Sequence, residues 1–476
     1  MKMRAVGLVV LLVLSILFAD RALGQPGSSH VLEGRLVMQW GDPQPGDDGL
    51  HHSAGFNVEL ATEDGVRFKL DPDSALDASE DLYALFNAPV AVELDETEIL
   101  SSSIRPLQVR SIEPLAGPYD LQAARDITGQ QKWAFIACKF KGNNDEPRPV
   151  SYFEESYSND SGMLGHYWQE VSYSKMNING SSVTGWYSLP QTRSYYVNGS
   201  ADLNALFRDC TAAASDVDFN EVIGIEMAFN DELDGAAWGG GLCETVNGTY
   251  GCWRAAWYPP WGFENLAVRA HEMGHGFGLP HANNSDEDDD PYDNPWDVMS
   301  DAWFNATSNS NYGILPKHIS IYSRDRLGWV DSSRQLDIST DGSWSTLLRF
   351  AEHDAGPGTV QIRIYPADHP VDHYYVLESR EQTGIYDGML GTRRGLNGTA
   401  VIVHEVVEGR YEPAWSMDAR VPPADRSDNR ESMFKVGDSF DITPDTRLTV
   451  TSQTSEGFWV SIAVGNDDGI FADRFE

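Results

Sequence analysis

The chain has 476 residues, more than one compact core of ordinary size accommodates, so two or three structural units are expected. A hydrophobic content of 41% and an aromatic content of 11% indicate a packed globular protein and exclude a wholly disordered chain. Seventy-two acidic against thirty-four basic residues give a formal charge of -38, which argues against nucleic acid and anionic membrane surfaces as partners.

The first 24 residues have the features of a secretory signal peptide. Lys2 and Arg4 precede an apolar run at positions 5–18, and small residues at 22–24 suit cleavage before about Gln25. The alternative, an N-terminal membrane anchor, is less favoured because the run is shorter than the ~20 residues of a spanning helix. No later segment is long and apolar enough to span a bilayer, so the sequence predicts a soluble, exported protein without membrane insertion.

Residues 25–125 are predicted to form a small β-domain, with a pro-segment as one candidate role. Stretches at 34–38, 56–60 and 90–94 alternate between apolar and polar residues and are separated by Gly, Pro and Asp, which is typical of strands and turns. A polar stretch at 113–131 is expected to link this domain to the next.

Residues 126–333 are predicted to form a second unit that mixes strands and helices. The apolar run at 133–138 indicates a buried strand, and 163–176 and 317–327 have the character of helices. Ser200 is placed to cap a helix ending near position 214, and a further strand is expected at 219–229.

Residues 334–466 are predicted to form a C-terminal β-sandwich, followed by a tail at 467–476. Strands are expected at 344–350, 359–365, 374–378, 401–407 and 458–464. The predicted fold class is therefore α+β, with a mixed unit between two β-domains.

Four cysteines, an even number, suit disulfides in an oxidising compartment. Of the three possible connectivities we expect Cys138 with Cys210 and Cys243 with Cys252. A metal role is less favoured because no CxxC spacing occurs.

The stretch RAHEMGHGFGLPHANN at 269–284 holds three of the twelve histidines. His271 and His275 are four residues apart, so on a helix they lie one turn apart on the same face and can reach one ion. Gly278 stands where a sharp reversal needs a positive φ, and that reversal would bring His281 to the same ion. The alternative, a solvated helix with surface histidines, does not explain the spacing of Gly278 and His281.

Three imidazoles leave one position of a tetrahedral Zn2+ open, as in a catalytic rather than a structural zinc site. Glu272 lies between the first two histidines and is the candidate general base for a metal-activated water. Gly274 and Gly276 each cost a helix about 1 kcal/mol relative to alanine, and close approach of neighbouring backbone is the expected reason. The pattern predicts amide hydrolysis with one catalytic zinc ion.

The motif HExxHxxGxxH at 271–281, with Met299 eighteen residues after the third histidine, resembles the metzincin clan of zinc peptidases. Its surroundings are most similar to the immune inhibitor A and gametolysin-like groups, from residue 133 to about 410. The resembling segments are YWQEVSY at 167–173, PWDVMS at 295–300, YSRDRLGW at 322–329 and YYVLESR at 374–380.

The resemblance implies a metzincin-type catalytic domain, in which a mixed twisted sheet packs with the active-site helix and Met299 supports the site from below. Some metzincins have a tyrosine two residues after that methionine, but here Asp301 stands there, so another group is expected to stabilise the oxyanion. The N-terminal β-domain has no cysteine, which excludes a thiol-based latency switch. If that domain is a pro-segment, a carboxylate or steric cover must mask the site.

The segment 285–297 contains seven acidic residues. Such a run is usually a solvated loop. The alternative is a Ca2+ site that fixes the loop between His281 and Met299, which makes Ca2+ a second candidate cofactor.

Taken together, these features predict a secreted zinc-dependent endopeptidase that hydrolyses peptide bonds in extracellular proteins, with a protein or peptide as its substrate. Residues 222–229 and 235–241 are candidates for the cleft rim, where an extended substrate could pair with a strand edge. The alternative is an extracellular matrix- or surface-binding protein whose peptidase domain is inert.

Overall fold

The computed structural model describes residues 29–44, 55–95, 105–115, 117, 126–288, 290–353, 356–390, 393–423 and 430–465. It is a mixed α+β fold in which strands predominate and form several sheets, which confirms the predicted class. The predicted signal peptide at 1–24, the tail at 467–476 and positions 116 and 118–125 of the predicted linker lie outside these residues, while the described ends of that linker belong in part to strands at Val109–Pro114 and Gly129–Gln130. Among the described helices, none has the length and apolarity needed to cross a membrane.

The described residues of the N-terminal unit form five strands, one α-helix and one 3-10 helix. These are β1 Ser29–Pro43, β2 Gly55–Ala61, β3 Arg67–Leu70, α1 Pro72–Asp77, the 3-10 helix Leu82–Leu85, β4 Pro89–Asp95 and β5 Val109–Pro114. All three predicted alternating stretches fall in strands. In β4, for example, Val90, Val92 and Leu94 follow one another at intervals of two residues and all are buried, so they lie on one face of the strand. This face packs in a hydrophobic core formed by residues of the N-terminal unit.

The middle unit interleaves strands with helices, as predicted. Its first strands are β6 Gly129–Gln130, β7 Trp133–Lys139, β8 Met176–Asn177, β9 Ser182–Ser188, β10 Val197–Asn198, β11 Ser200–Ala201, β12 Gly224–Phe229, β13 Ala236–Val246 and β14 Thr249–Tyr258. Its helices up to the histidine motif are α2 Val150–Ser156, α3 Leu164–Val171, α4 Arg193–Tyr196, α5 Leu203–Ala213, α6 Pro260–Phe263 and α7 Leu266–Gly276, with a 3-10 helix at Phe219–Glu221.

Several predicted details of this unit are wrong. The strand expected at 219–229 begins only at Gly224, after the 3-10 helix Phe219–Glu221, and the helix expected at 317–327 spans Ile321–Arg326. The helix expected at 163–176 ends at Val171, because Tyr173 and Ser174 have φ of 52° and 60° and turn the chain into β8. Asp202 caps α5 with its carboxylate, which accepts from the backbone N–H of Ala205, whereas Ser200 lies in β11.

One ten-stranded sheet joins the N-terminal and middle units. Its main path runs β3-β2-β1-β13-β14-β12-β7-β9, while β4 pairs with β1 and with β5. Strands β7, β9 and β12 are mutually parallel, and β1 lies antiparallel to β13. The strands of the predicted N-terminal β-domain therefore extend the middle sheet rather than forming a sheet of their own.

Both expected disulfides are present. Cys138 on β7 is joined to Cys210 on α5, and Cys243 on β13 is joined to Cys252, which lies directly opposite on β14. The described part of the chain has no free cysteine. Two disulfides are consistent with an oxidising compartment.

After α7 the chain enters two further sheets. The remaining elements are β15 Asn283–Asn284, β16 Ser308–Asn309, β17 Gly313–Ile314, α8 Ile321–Arg326, the 3-10 helices Ser332–Arg334 and Arg430–Ser432, β18 Gln335–Ile338, β19 Gly342–Arg349, β20 Gln361–Ile364, β21 His373–Arg380, β22 Met389–Leu390, β23 Arg393–Arg394, β24 Ala400–Val407, β25 Ala414–Ser416, β26 Ser439–Thr443, β27 Thr446–Gln453 and β28 Gly457–Val464.

The C-terminal unit consists of a six-stranded sheet, β15-β25-β24-β21-β20-β18, and a four-stranded sheet, β19-β28-β27-β26. Apolar side chains of both sheets share one core, in which Leu377 and Val403 of the first join Val450 and Val460 of the second. The strand β15 follows the third histidine directly, and its pairing with β25 ties the C-terminal unit to the histidine loop.

Candidate metal centre

Two of the predicted ligands lie on α7, which is buried along its whole length. His271 and His275 are one helical turn apart, and their Nε2 atoms are 3.1 Å apart. Both side chains are buried. The helix therefore presents two imidazoles to one point inside the protein.

The third predicted ligand reaches the same point because α7 ends in a tight reversal. Gly278 has φ of 87°, and the backbone N–H groups of Gly278 and Leu279 donate to the carbonyls of His275 and Gly274, which is the Schellman pattern. The turned chain places the Nε2 of His281 3.3 Å from that of His271 and 3.2 Å from that of His275.

Backbone carbonyls orient two of the three rings. The Nδ1 of His271 lies 2.6 Å from the carbonyl oxygen of Val298, and the Nδ1 of His275 lies 2.7 Å from that of Leu279. Because a carbonyl only accepts, each Nδ1 carries the hydrogen and each Nε2 has its lone pair free for a ligand bond.

Asp42 on β1 joins the histidines, and no sequence feature predicted it. Its Oδ1 lies 2.7 Å from the Nε2 of His281 and 3.3 Å from that of His271, while its Oδ2 lies 3.4 Å from that of His275. The contact spans 239 residues. The only sequence-level hint was the general expectation that a carboxylate could mask the site.

These four side chains have the spacing that a metal ion requires. A tetrahedron whose corners lie about 2.0–2.1 Å from its centre has edges of about 3.3–3.4 Å. The three distances between imidazole Nε2 atoms are 3.1, 3.2 and 3.3 Å. The buried group of Asp42, His271, His275 and His281 could therefore hold a metal ion.

The charges at the site agree with a cation at its centre. Burial lowers the pKa of His275 to about 3, so its ring is neutral, as a metal ligand must be. Burial disfavours a charge on Asp42 and on His271, but each favours the charged form of the other: His271 and His281 hold the pKa of the Asp42 carboxyl well below its usual range, and Asp42 raises the pKa of His271. Asp42 is therefore an anion among imidazoles.

Glu272, the predicted general base, lies beside this group. It is fully buried, and neither carboxyl oxygen has a hydrogen-bond partner among the described residues. Burial raises the pKa of Glu272 well above its ordinary value, and the neighbouring Asp42 raises it further. The strand β13 passes directly over it, since a Cβ on Gly239 would lie 2.5 Å from the backbone oxygen of Glu272.

The glycines of α7 make room for side chains, not for backbone, so that expectation is wrong. A Cβ on Gly274 would lie 2.4 Å from the Sδ of Met299, and one on Gly276 would lie 2.8 Å from the ring of Trp133. Met299 is fully buried against the helix. Its sulfur packs against α7 at Gly274, between the two helical histidines.

Asp301, two residues after Met299, forms a buried ion pair with Lys317 at 3.0 Å and accepts from the backbone N–H of Phe304. The tyrosine that does lie near the histidines is Tyr292. Its hydroxyl donates to Oδ1 of Asp42 at 2.6 Å, and its ring centroid is 5.3 Å from that of His281. Burial raises the pKa of Tyr292 well above its usual value, so the hydroxyl stays protonated.

Neither of the two predicted rim segments lies at a free strand edge in this structure. Residues 222–229 contain β12, which is paired on both sides, with β7 and with β14, so this part of the expectation is wrong. Residues 235–241 contain the start of β13, which is likewise paired on both sides, with β14 and with β1, so the expectation is wrong for this segment too.

The acidic segment is organised by its own side chains. Successive carboxylates of Asp286, Asp288 and Asp290 each accept from the backbone N–H two residues ahead. Asp293 is buried there, and burial, with the neighbouring carboxylates, raises its pKa to about 9. Calcium binding by this segment stays a prediction.

Comparison with known proteins assigns no family, because no family model matches the chain and no curated protein is significantly similar to it. The functional argument therefore depends on the residues and distances of this centre.

Proposed function

We propose that the protein is a secreted zinc-dependent endopeptidase of the metzincin type. The observation that carries the proposal is the convergence of three imidazole Nε2 atoms, 3.1–3.3 Å apart, beside a buried carboxyl that has no hydrogen-bond partner in the described structure. A purely structural site has no use for that unpaired carboxyl, whose burial is costly.

His271, His275 and His281 would hold the zinc ion, and the backbone carbonyls behind two of them keep the rings in place. When bound, the ion supplies a Lewis acid that polarises a carbonyl group and acidifies water. Three imidazole nitrogens that lie 3.1–3.3 Å from one another suit the coordination shell of Zn2+.

Glu272 would act as general base and then as general acid. Its free carboxyl oxygens accept a proton from water as the water oxygen bonds to the carbonyl carbon of the substrate. The same proton then passes to the amide nitrogen as the carbon–nitrogen bond breaks. Burial raises the pKa of Glu272, which makes its carboxylate a stronger proton acceptor than an exposed one.

Tyr292 would stabilise the oxyanion. Its hydroxyl donates at 2.6 Å to Asp42 Oδ1, the oxygen atom that lies 2.7 Å from His281 Nε2 and 3.3 Å from His271 Nε2. A substrate oxygen in that position would receive the same hydrogen bond. Asp301, which stands where some metzincins have their tyrosine, is engaged with Lys317 and is not suited to this role.

The strand β13 is the candidate binding edge for the substrate. It runs past Glu272 at Gly239, and an extended polypeptide could pair antiparallel with it on the side that β1 occupies in this structure, if β1 were displaced. The alternative function, surface binding with an inert peptidase unit, has less support because the ligand set and the general base are both intact.

The test compares Glu272→Gln with the control Glu221→Gln, whose carboxylate is largely exposed. Because Asp42 of β1 lies against the histidines, each protein is first treated with a trace of trypsin to cut the N-terminal unit, and the trypsin is then inhibited. Cleavage of unfolded casein is measured with and without a chelator. We expect Glu272→Gln to lose at least about 100-fold in rate with unchanged zinc content. Equal rates for the two variants, or activity that survives the chelator, would contradict the proposal.

A further inference from the structure

A cleft of about 1130 Å³ lies between the N-terminal unit and the middle unit. Arg35 and Asn87 of the first unit line it, together with Arg254 and Phe277 of the second. Its described lining residues include neither the four side chains of the candidate metal centre nor Glu272. Its volume is comparable with that of ligand pockets, which is about 300–1,000 Å³. The cleft is therefore a second concave region, separate from the metal centre.

The guanidinium group of Arg254 has no partner among the described residues. Its Nε is buried without a hydrogen bond, and no described carboxylate forms an ion pair with it. This is unusual in a chain with 72 acidic and 34 basic residues, because buried charges in proteins are normally paired. Burial lowers the pKa of Arg254 to about 10, so the group still carries its charge at neutral pH.

The side chain of Arg254 lies against the C-terminal end of α7. A Cβ on Gly276 would lie 3.6 Å from the Cβ of Arg254, and the ring centroid of Phe277 is 6.0 Å from its guanidinium carbon. The nearby helix carbonyls of residues 274 and 275 accept from the backbone N–H groups of residues 279 and 278 instead. The side-chain donors of Arg254 are thus left for a ligand in the cleft.

A second polar side chain of the cleft also lacks a partner. The Oδ1 of Asn87 is buried and makes no hydrogen bond, whereas its main-chain carbonyl accepts from Arg35 Nη1 at 2.7 Å. A carboxamide both donates and accepts, so a peptide group of a ligand satisfies it. An unpaired guanidinium and an unpaired carboxamide in one cleft indicate a ligand that has both a carboxylate and an amide.

The remaining walls of the cleft restrict the charge and the shape of that ligand. The carboxylates of Glu33, Glu63 and Asp64 line the cleft too, and they repel a phosphate dianion more strongly than a carboxylate. The rings of Phe86 and Tyr250 can cover the apolar part of a ligand. A guanidinium fork matches the two coplanar oxygens of a carboxylate.

We propose that this cleft is a binding site for a carboxylate-bearing peptide segment. The guanidinium of Arg254 pairs with the carboxylate, and the carboxamide of Asn87 pairs with a main-chain amide of the peptide. The carboxylate belongs to an acidic side chain or to a chain terminus, since both present the same pair of oxygens. Because the cleft is separate from the metal centre, it holds a peptide without cleaving it.

The test uses the zinc-loaded full chain with Glu272→Gln throughout, so that no peptide is cleaved. Calorimetry measures its affinity for three peptides: acetyl-Ala-Glu-Phe-amide has a side-chain carboxylate, acetyl-Ala-Gln-Phe with a free C-terminus has a terminal one, and acetyl-Ala-Gln-Phe-amide has neither. Arg254→Gln removes the cation of the cleft, and Asn87→Asp adds a repelling carboxylate without a change in size. The control Arg208→Gln removes a largely exposed arginine of α5.

We expect at least one of the two carboxylate peptides to bind at least tenfold more tightly than the neutral peptide, and the tighter of the two identifies the source of the carboxylate. Arg254→Gln and Asn87→Asp should each abolish this preference, and Arg208→Gln should retain it. Equal affinities for all three peptides, or a preference that survives either cleft substitution in folded protein, would overturn the proposal. If Arg254→Gln does not fold, the isosteric Asn87→Asp decides.

Discussion

The carboxylate of Asp42 and the imidazole of His281 meet at 2.7 Å, although the two residues are 239 positions apart. One belongs to β1, the first described strand, and the other to the turn after α7. Their contact links the N-terminal unit to the candidate metal centre. The position of that unit therefore decides whether a carboxylate lies beside the histidines. A description of the centre by its histidines alone would omit the group that fills its fourth corner.

Tyr292→Phe tests the oxyanion role. Removing the hydroxyl that lies 2.6 Å from Asp42 Oδ1 takes away one preorganised donor, which typically lowers kcat by about 10²–10³-fold. We expect such a loss in trypsin-activated protein, with unchanged zinc content and little change in KM. Tyr195→Phe, at an exposed position, is the control. A normal kcat in Tyr292→Phe would remove this residue from the mechanism.

Gly274→Ala tests the packing of Met299 beneath the helix. The new methyl would lie 2.4 Å from the Met299 sulfur, and overpacking of this kind costs roughly 1–3 kcal/mol, only partly offset by the better helix propensity of alanine. We expect a lower free energy of unfolding in urea for Gly274→Ala, but not for Gly409→Ala, whose Cβ meets nothing within 4 Å.

A double-mutant cycle sharpens that experiment. If the clash with Met299 is the cause, Gly274→Ala should cost less in a Met299→Ala background than in the native one, because the truncated side chain leaves room. Additive effects of the two substitutions would show that the methyl group is excluded by something else.

His318→Gln tests a pH effect away from the metal centre. Burial disfavours charge on His318, but Asp387 and Glu170 beside it raise its pKa to about 9. Since the ordinary value in an unfolded chain is about 6.5, the folded state binds more protons between these two values. The stabilisation, about 3 kcal/mol, is fully present below pH 6.5 and is lost as the pH rises through 9.

The measurement is the free energy of unfolding in urea from pH 6 to 9.5. We expect His318→Gln to be less stable than the native protein at pH 6.5 and the difference to shrink towards pH 9. The control His30→Gln alters an exposed histidine and should follow the native curve. A difference that stays constant over this range would mean that His318 is not charged in the folded protein.

Features that depend on neighbouring residues could be predicted from the sequence. The helix of the histidine motif, its reversal at Gly278 and the pairing of Cys243 with Cys252 all arise within a few residues, where spacing fixes geometry. Predictions failed where two nearby residues could each cap the same helix. Asp202 caps α5 instead of Ser200, because Ser200 is engaged in a short strand pair.

The sequence alone determined the three imidazoles and the carboxyl of Glu272, because one helical turn and one glycine suffice to bring them together. Only the tertiary structure decided what faces them. The pairing of β1 with β13, and with it the arrival of Asp42 and Trp40 at the histidines, depends on sheet register between segments about 200 residues apart. The hydrogen bonds between β1 and β13 join main-chain groups, which are the same in every residue. No local sequence pattern could therefore predict that these two strands pair.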